Sequence, residues 1–275
     1  MRPEYNVAHE LGVTVVPLEV MMWENGKFVP YSDFAISAEV FYEKMRTGER
    51  LPQSSGAVIG GFIRAYQDIV CEGRPILSIH ITSKMSATYS SAVQASQIVR
   101  GERVNPPSIE ILDSKFVSVA AWFPVEEAAL QAKKGANLNQ TRQEAAHVIE
   151  KSQLLVTLED FENLMRGGRG GDVIKAKLAA ALQIFPVIGF KDGVIKTFAT
   201  ARSVEKLRKQ MLEMVGDAGK LVRLAVMHAN APATAEKIKE ALAKIYPGFI
   251  RIYEVGPPLA VHAGSGAVGI AFQKA

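Results

Sequence analysis

The chain has 275 residues, 48% of them hydrophobic, with a formal net charge of +4 and a mean hydropathy of +0.08, enough for one large or two ordinary domains around a substantial core. No run approaches the ~18 uninterrupted apolar residues of a membrane span, and no dense Lys/Arg run with interleaved aromatics points to nucleic acid. The single Cys71 excludes an internal disulfide and fits a reducing compartment.

The opening residues, Met1-Arg2-Pro3-Glu4-Tyr5-Asn6, lack the apolar core of a signal peptide, so a cytoplasmic location is expected. In chain order, apolar runs at 13–16, 76–81, 109–112 and 154–156 read as strands. The periodic stretches 38–46, 62–70, 89–99, 125–133 and 141–151 read as helices, the last opened by a Thr141/Glu144 capping box. Cys71 reads as a small buried side chain on a helix. Strands alternating with helices indicate α/β structure with a largely parallel sheet. Further on, runs at 185–190 and 194–198 flank Lys191-Asp192-Gly193, and an Asp-Gly turn between apolar strands marks a β-hairpin. A helix at 203–215, a strand at 221–227, a helix at 234–245, a strand at 249–255 and a last apolar run at 267–272 follow. The hairpin implies a mixed sheet and a second domain. The expected fold is two-domain α/β: an N-terminal α/β/α domain over 1–157 with a largely parallel sheet, and a C-terminal α/β domain over 158–275 with a mixed sheet. At the change, Thr157 and Asp160 can cap a short helix that ends at the glycine-rich Gly167-Gly168-Arg169-Gly170-Gly171.

The chemistry concentrates between 82 and 92. There Thr82-Ser83-Lys84-Met85-Ser86-Ala87-Thr88 joins a strand to a helix through a turn dense in hydroxyls. Unpaired N–H groups and the positive end of the dipole at a helix start suit an anion, and neutral hydroxyls add donors without acid–base chemistry. The plainer role for Ser86 or Thr88 is to cap the helix. Gly264-Ser265-Gly266-Ala267-Val268-Gly269 matches a dinucleotide fingerprint by letter only, since six residues follow where a helix, a strand and an acidic residue are required. Gly167–Gly171 lacks the Gly-Lys-Ser/Thr of a phosphate loop; its glycines permit close backbone approach and can place Arg169 at a cleft. His9, His80, His147, His228 and His262 show no metal-ligand spacing. His80 alternates within a strand and reads as structural. His262, on a loop between Gly256-Pro257-Pro258 and Gly264-Ser265-Gly266, reads as facing a cleft.

These segments together resemble the DegV family of bacterial fatty-acid-binding proteins. The family's strand followed by Ser-Ser-x-Leu-Ser-Gly-Thr-Tyr-x-Ser-Ala is similar to Thr82 through Ala92. Its Asp-Ser after the next strand is similar to Asp113-Ser114, its leucine-rich helix leading to Gly-Gly-Arg to Leu158 through Arg169, its Asp-Gly hairpin and following Arg to Pro186, Asp192-Gly193 and Arg202, and its closing His-Thr-Gly-Pro-Gly to His262 through Gly266. The resemblance implies a two-domain α/β protein that encloses one long-chain fatty acid such as palmitate or oleate. It implies a carboxylate held by hydroxyls: the family's Thr-Ser-Gln-Pro-Ser falls on Ser54-Ser55-Gly56-Ala57-Val58, placing Ser54 at the Thr position, and the Ser of Leu-Ser-Gly-Thr falls on Ser86. The family's Arg and His near the head group fall on Arg169 and His262. Family members present the bound acid to a separate fatty acid kinase and make no bond themselves, so no catalytic residue, metal or cofactor is expected. The family's opening strand ending in Thr-Asp-Ser has no counterpart here. Ala57, Ala87, Ala263 and Ser265 replace Pro, Gly, Thr and Pro of the pattern. Two other readings stand beside this one: an enzyme acting on a small carboxylate or phosphorylated substrate with His262 as acid–base, and a domain whose hydroxyls only cap a helix.

Overall fold

The computed structural model describes residues 3–159, 161–170 and 184–275. Strands β1 (Glu19–Glu24), β2 (Lys27–Ser32) and β3 (Gln53–Ser55) form an antiparallel sheet in the order β2-β1-β3. Strands β4 (Ile76–His80) and β5 (Ile109–Asp113) form a parallel pair. The third sheet is mixed: β6 (Ser152–Thr157), β7 (Phe185–Lys191), β8 (Val194–Ala201), β9 (Leu221–His228), β10 (Arg251–Glu254) and β11 (Val268–Lys274) lie in the order β10-β9-β11-β6-β7-β8. The helices among the described residues are α1 (Pro3–Glu10), α2 (Ala38–Thr47), α3 (Ile59–Cys71), α4 (Thr88–Gly101), α5 (Ser118–Lys133), α6 (Leu138–Lys151), α7 (Glu162–Arg166), α8 (Val204–Gly216), α9 (Pro232–Leu242) and α10 (Pro257–Ala263). No described helix is long and apolar enough to cross a membrane.

Periodicity decides the packing. In α3, Phe62, Tyr66 and Val70 recur every four residues and meet Ala92, Ala95 and Val99 of α4, so the two helices cover one face of the β4–β5 pair. Parallel strands need a crossover, which α4 supplies. The mixed sheet is buried on both faces. Leu224 and Val226 of β9 point to α8 and α9, where Leu207, Met211, Ala235 and Ile238 wait, while Ala225 and Met227 point to the side of α5 and α6. Burial on both faces explains why residues 224–227 read as a continuous apolar run rather than an alternating one.

Several expectations need correction. Residues 13–16 form no strand; the chain there is irregular, and pairing begins at Glu19. The signal overlooked was Asn25-Gly26, whose positive φ values of 50° and 81° turn β1 into β2. The capping box of α6 is Asn137 with Gln140, four residues ahead of the expected Thr141/Glu144 pair, and Thr141 is buried inside the helix. Helix α5 starts at Ser118, seven residues before the reading at 125, because Pro124 sits within it and breaks the periodic pattern. Cys71 is exposed at the end of α3. Thr157 closes β6 and donates to Val268 O, so it caps no helix; Asp160 and Gly171 lie outside the described residues. The Asp192-Gly193 hairpin is present, with φ values of 53° and 80°. Strand β6, on the N-terminal side of the expected division at 157, pairs with β11 and β7 of the mixed sheet.

Candidate functional site

Antiparallel pairing of Val20 with Ser54 fixes β3 beside β1. Beyond Ser54 the chain passes the start of α4: Ala57 N–H donates to Thr88 Oγ1 at 3.4 Å, and a Cβ on Gly56 would lie 4.0 Å from Ser86 Oγ. This crossing brings the two serines, 32 residues apart, to one wall.

The loop carrying Ser86 is tied down from several directions. Thr82 N–H donates to Phe116 O at 2.8 Å, and Ser83 N–H to Asp113 Oδ2 at 3.1 Å. Two non-glycine residues of the facing turn, Lys115 (φ 60°) and Ser118 (φ 55°), adopt left-handed backbone as it presents Phe116 O. Thr82 Oγ1 donates to Gly193 O at 2.7 Å, so the β7–β8 hairpin grips the loop from the mixed sheet; a side chain on Gly193 would fall 2.6 Å from that hydroxyl. Of the four hydroxyls of the turn, Thr82 and Thr88 are buried in such contacts and Ser83 faces solvent. Ser86 alone of the four lines the neighbouring cavity. Its Oγ also accepts Thr88 N–H at 3.2 Å and bonds Thr88 Oγ1 at 2.8 Å. The capping role and the cavity-facing role therefore coincide in one atom.

His262 completes the wall. It lies in the last turn of α10 rather than on the loop expected from sequence: Pro257 opens that helix and Gly264, at φ 73°, ends it. Its Nε2 is 2.6 Å from Ser54 Oγ. Its ring rests on Gly167, where a Cβ would fall 2.2 Å from Nδ1. Arg169 bridges the glycine-rich loop and the Ser86 loop, its Nη1 donating to Gly167 O at 2.5 Å and its Nε to Met85 O at 3.3 Å. Burial pushes the His262 imidazole down to about 4, and the Arg169 cation adds to the shift. The ring is neutral near pH 7, and its Nδ1 is buried without a hydrogen-bond partner among the described residues.

Ser54, Ser86, Arg169 and His262 all line one cavity of about 530 Å³. Most of its remaining wall is apolar, including Ile79, Trp122, Leu154, Val156, Ile188, Phe190 and Met227. Among the described lining residues Arg169 is the cation, with Asp33 and Glu254 the carboxylates. No group of His, Cys, Asp and Glu among the described residues could hold a metal ion. The segment expected as a strand at 13–16 contributes Val15 and Val16, the irregular residues after it contribute Pro17 and Leu18, and His80 also lines the cavity.

The double role of Ser86 has a measurable consequence. Ser86→Ala is expected to lower stability by about 1 kcal/mol through loss of the Thr88 cap. The same change removes a donor worth roughly 1.5–3 kcal/mol to a bound anion, so carboxylate affinity should fall roughly tenfold or more. Urea unfolding and titration calorimetry on the one variant measure both. Unchanged affinity beside lowered stability would leave Ser86 as a cap only.

The model of the DegV family, described as an uncharacterised protein family, matches residues 4–275. The chain is 30% identical over 271 residues to the DegV domain-containing protein YejH of Lactococcus lactis, covering 97% of this chain and 94% of that one. It is 30% identical over 272 residues to a DegV domain-containing protein of Halalkalibacterium halodurans, covering 96% and 92%. Among solved structures, a DegV family protein from Thermus thermophilus described by its fatty acid binding superposes with a TM-score of 0.86 at 26% identity, over 98% of this chain and 95% of that one. DegV from Bacillus subtilis, described as a fatty acid binding protein, superposes with a TM-score of 0.86 at 25% identity, over 100% and 96%.

Proposed function

The chain belongs to the DegV family, and from that premise we propose that it holds one long-chain fatty acid, palmitate or oleate, in the 530 Å³ cavity and presents it to a fatty acid kinase. One observation carries this reading: two serine hydroxyls, a neutral imidazole and a guanidinium meet at the wall of an otherwise apolar cavity. The volume lies within the roughly 300–1,000 Å³ of small-molecule sites. Burial of each methylene contributes about 0.8 kcal/mol, so a tail of ~14 has a gross gain on the order of 10 kcal/mol. Each charge-assisted hydrogen bond adds roughly 1.5–3 kcal/mol and sets which end faces the wall. The tail supplies affinity; Ser54, Ser86, Arg169 and His262 supply register.

The same geometry weighs against the reading of His262 as an acid–base catalyst on a small substrate. A general base must become imidazolium, and here that cation would form beside Arg169, with no carboxylate among the described residues bonded to its buried Nδ1. We read the protein as a carrier without a catalytic residue, metal or cofactor of its own, working in the cytoplasm. We also place the boundary between its two domains ahead of β6, since that strand pairs within the mixed sheet.

Organic extraction of the protein purified from cells, followed by mass spectrometry, is expected to return about one long-chain acid per chain. Adding the kinase and ATP should then give acyl phosphate only from loaded protein. Lipid-free extracts together with no binding of added palmitate or oleate would refute the carrier reading; binding without phosphorylation would refute the hand-over alone.

A further inference from the structure

His80 is 6% exposed, and its ring is walled by Phe62 at 5.1 Å and Tyr89 at 6.2 Å, both edge-on. What surface it keeps belongs with the cavity lining. Its Nε2 lies 2.8 Å from Ser78 Oγ, which in turn accepts the Tyr66 hydroxyl at 2.7 Å. A serine hydroxyl has one proton, and Nε2 is the acceptor within reach of this one among the described residues. With Tyr66 donating to Ser78, the serine proton is free for Nε2, an arrangement that favours neutral His80 with its ring proton on Nδ1. Nδ1 has no hydrogen-bond partner among the described residues, and it is not among the sealed, unpartnered atoms. Burial pushes the imidazole down to about 4, the Asp113 carboxylate opposing this only in part, so the neutral form holds near pH 7. Asp113, its register partner on β5, has its two oxygens occupied by Ser83 N–H at 3.1 Å and Lys115 N–H at 2.7 Å.

His80 ends the strand that leads into the Ser86 loop, and Tyr89, the ring beside it, follows the Thr88 N–H that Ser86 accepts. We propose that His80 is a ligand-positioning residue of the same wall, its Nδ1–H held by the Tyr66–Ser78 relay as an uncharged donor to the oxygen end of the bound molecule. The inference rests on the fatty-acid reading and adds one donor to those of Ser54, Ser86, Arg169 and His262. A neutral donor suits this place because a second buried cation would carry a heavier desolvation cost than one more N–H group.

The test compares palmitate with hexadecanol, which keeps the tail but replaces the carboxylate with a neutral hydroxyl. His80→Phe preserves the ring packing and removes the donor. Its palmitate affinity should fall roughly tenfold while hexadecanol affinity changes less than about threefold. His80→Asn, whose amide nitrogen occupies the place of Nδ1, should recover part of the palmitate loss. Nitrogen-15 NMR of the lipid-free wild-type protein should show the Nδ1–H tautomer, with the His80 signal moving when palmitate is added. Equal loss of both ligands in His80→Phe, or an Nε2–H tautomer in the wild type, would overturn the proposal and leave His80 as packing. A wild-type protein that binds neither palmitate nor hexadecanol would overturn the carrier reading itself, and this inference with it.

Discussion

Lipid-free protein is expected to lose stability steadily as pH falls from 6.5 toward 4, at up to about 1.4 kcal/mol per pH unit for each of two histidines. His80 and His262 both have folded values near 4, against an ordinary 6.5. In both cases burial is the first cause, because it penalises the imidazolium. Between the two values the unfolded chain takes up protons that the folded protein refuses, and each proton bound there favours unfolding. The contribution is therefore complete above 6.5, declines through the interval, and is gone by about 4. Integrated, it amounts to about 3 kcal/mol for His80 and somewhat less for the less enclosed His262. Glu24 and Glu127 also lose stabilising pairs on acidification, but from depressed values that place their effect below the histidine interval. Urea midpoints at pH 7, 6, 5 and 4.5 for wild type, His80→Phe and His262→Phe separate the two sets. Each variant should show a shallower slope than wild type between pH 6 and 5. Parallel slopes in all three would mean that neither ring is neutral by burial.

The sequence reading succeeded where a local rule is strong and failed where a tertiary contact decides. The Asp192-Gly193 turn was legible because two left-handed residues in a row admit few sequences. Asn25-Gly26 obeys the same rule and went unread because the flanking strands, Glu19–Glu24 and Lys27–Ser32, carry charges and a proline that mask their alternation. Residues 13–16 have the composition of a strand, yet the chain leaves them unpaired and uses Val15 and Val16 to wall the cavity. The hydroxyl-rich turn that holds Ser86 could be picked out from its strand–turn–helix setting, and the family resemblance singled out Ser86 within it. Ser54 could not: it sits on a strand of three residues, and only the crossing of β3 over the start of α4 makes it a neighbour of Ser86 and His262. The surroundings of His80 were not legible for a related reason. Alternation correctly predicts a buried side chain, but not that Ser78, two residues earlier, and Tyr66, on helix α3, form a hydrogen-bonded chain ending at its ring.

Gly167→Ala is expected to disable the His262 half of the wall. The backbone itself tolerates alanine, since φ at Gly167 is −70°. The obstacle is the added Cβ, which would stand 2.2 Å from Nδ1 and 2.7 Å from Cε1 of His262. The ring cannot simply slide away, because Ser54 Oγ holds its other nitrogen at 2.6 Å. Relief requires breaking that bond or displacing α10, and overpacking of this kind costs about 1–3 kcal/mol. Losing one register-setting contact should weaken palmitate binding roughly tenfold. A ring forced outward is also rehydrated, so the variant should lose part of the stability slope between pH 6 and 5 that belongs to His262. Gly168→Ala is the matched control: its φ of 67° makes alanine strained, at about 1 kcal/mol, but a Cβ there meets nothing within 4 Å. It should lower stability and leave palmitate affinity and the pH slope intact. The decisive comparison is Gly167→Ala in a His262→Ala background, where the ring that collides is gone. There the glycine change should cost under about 0.5 kcal/mol, giving a coupling on the order of 1–2 kcal/mol across the cycle. If Gly167→Ala is as costly without the ring as with it, the glycine serves the end of α7 and not the seating of His262.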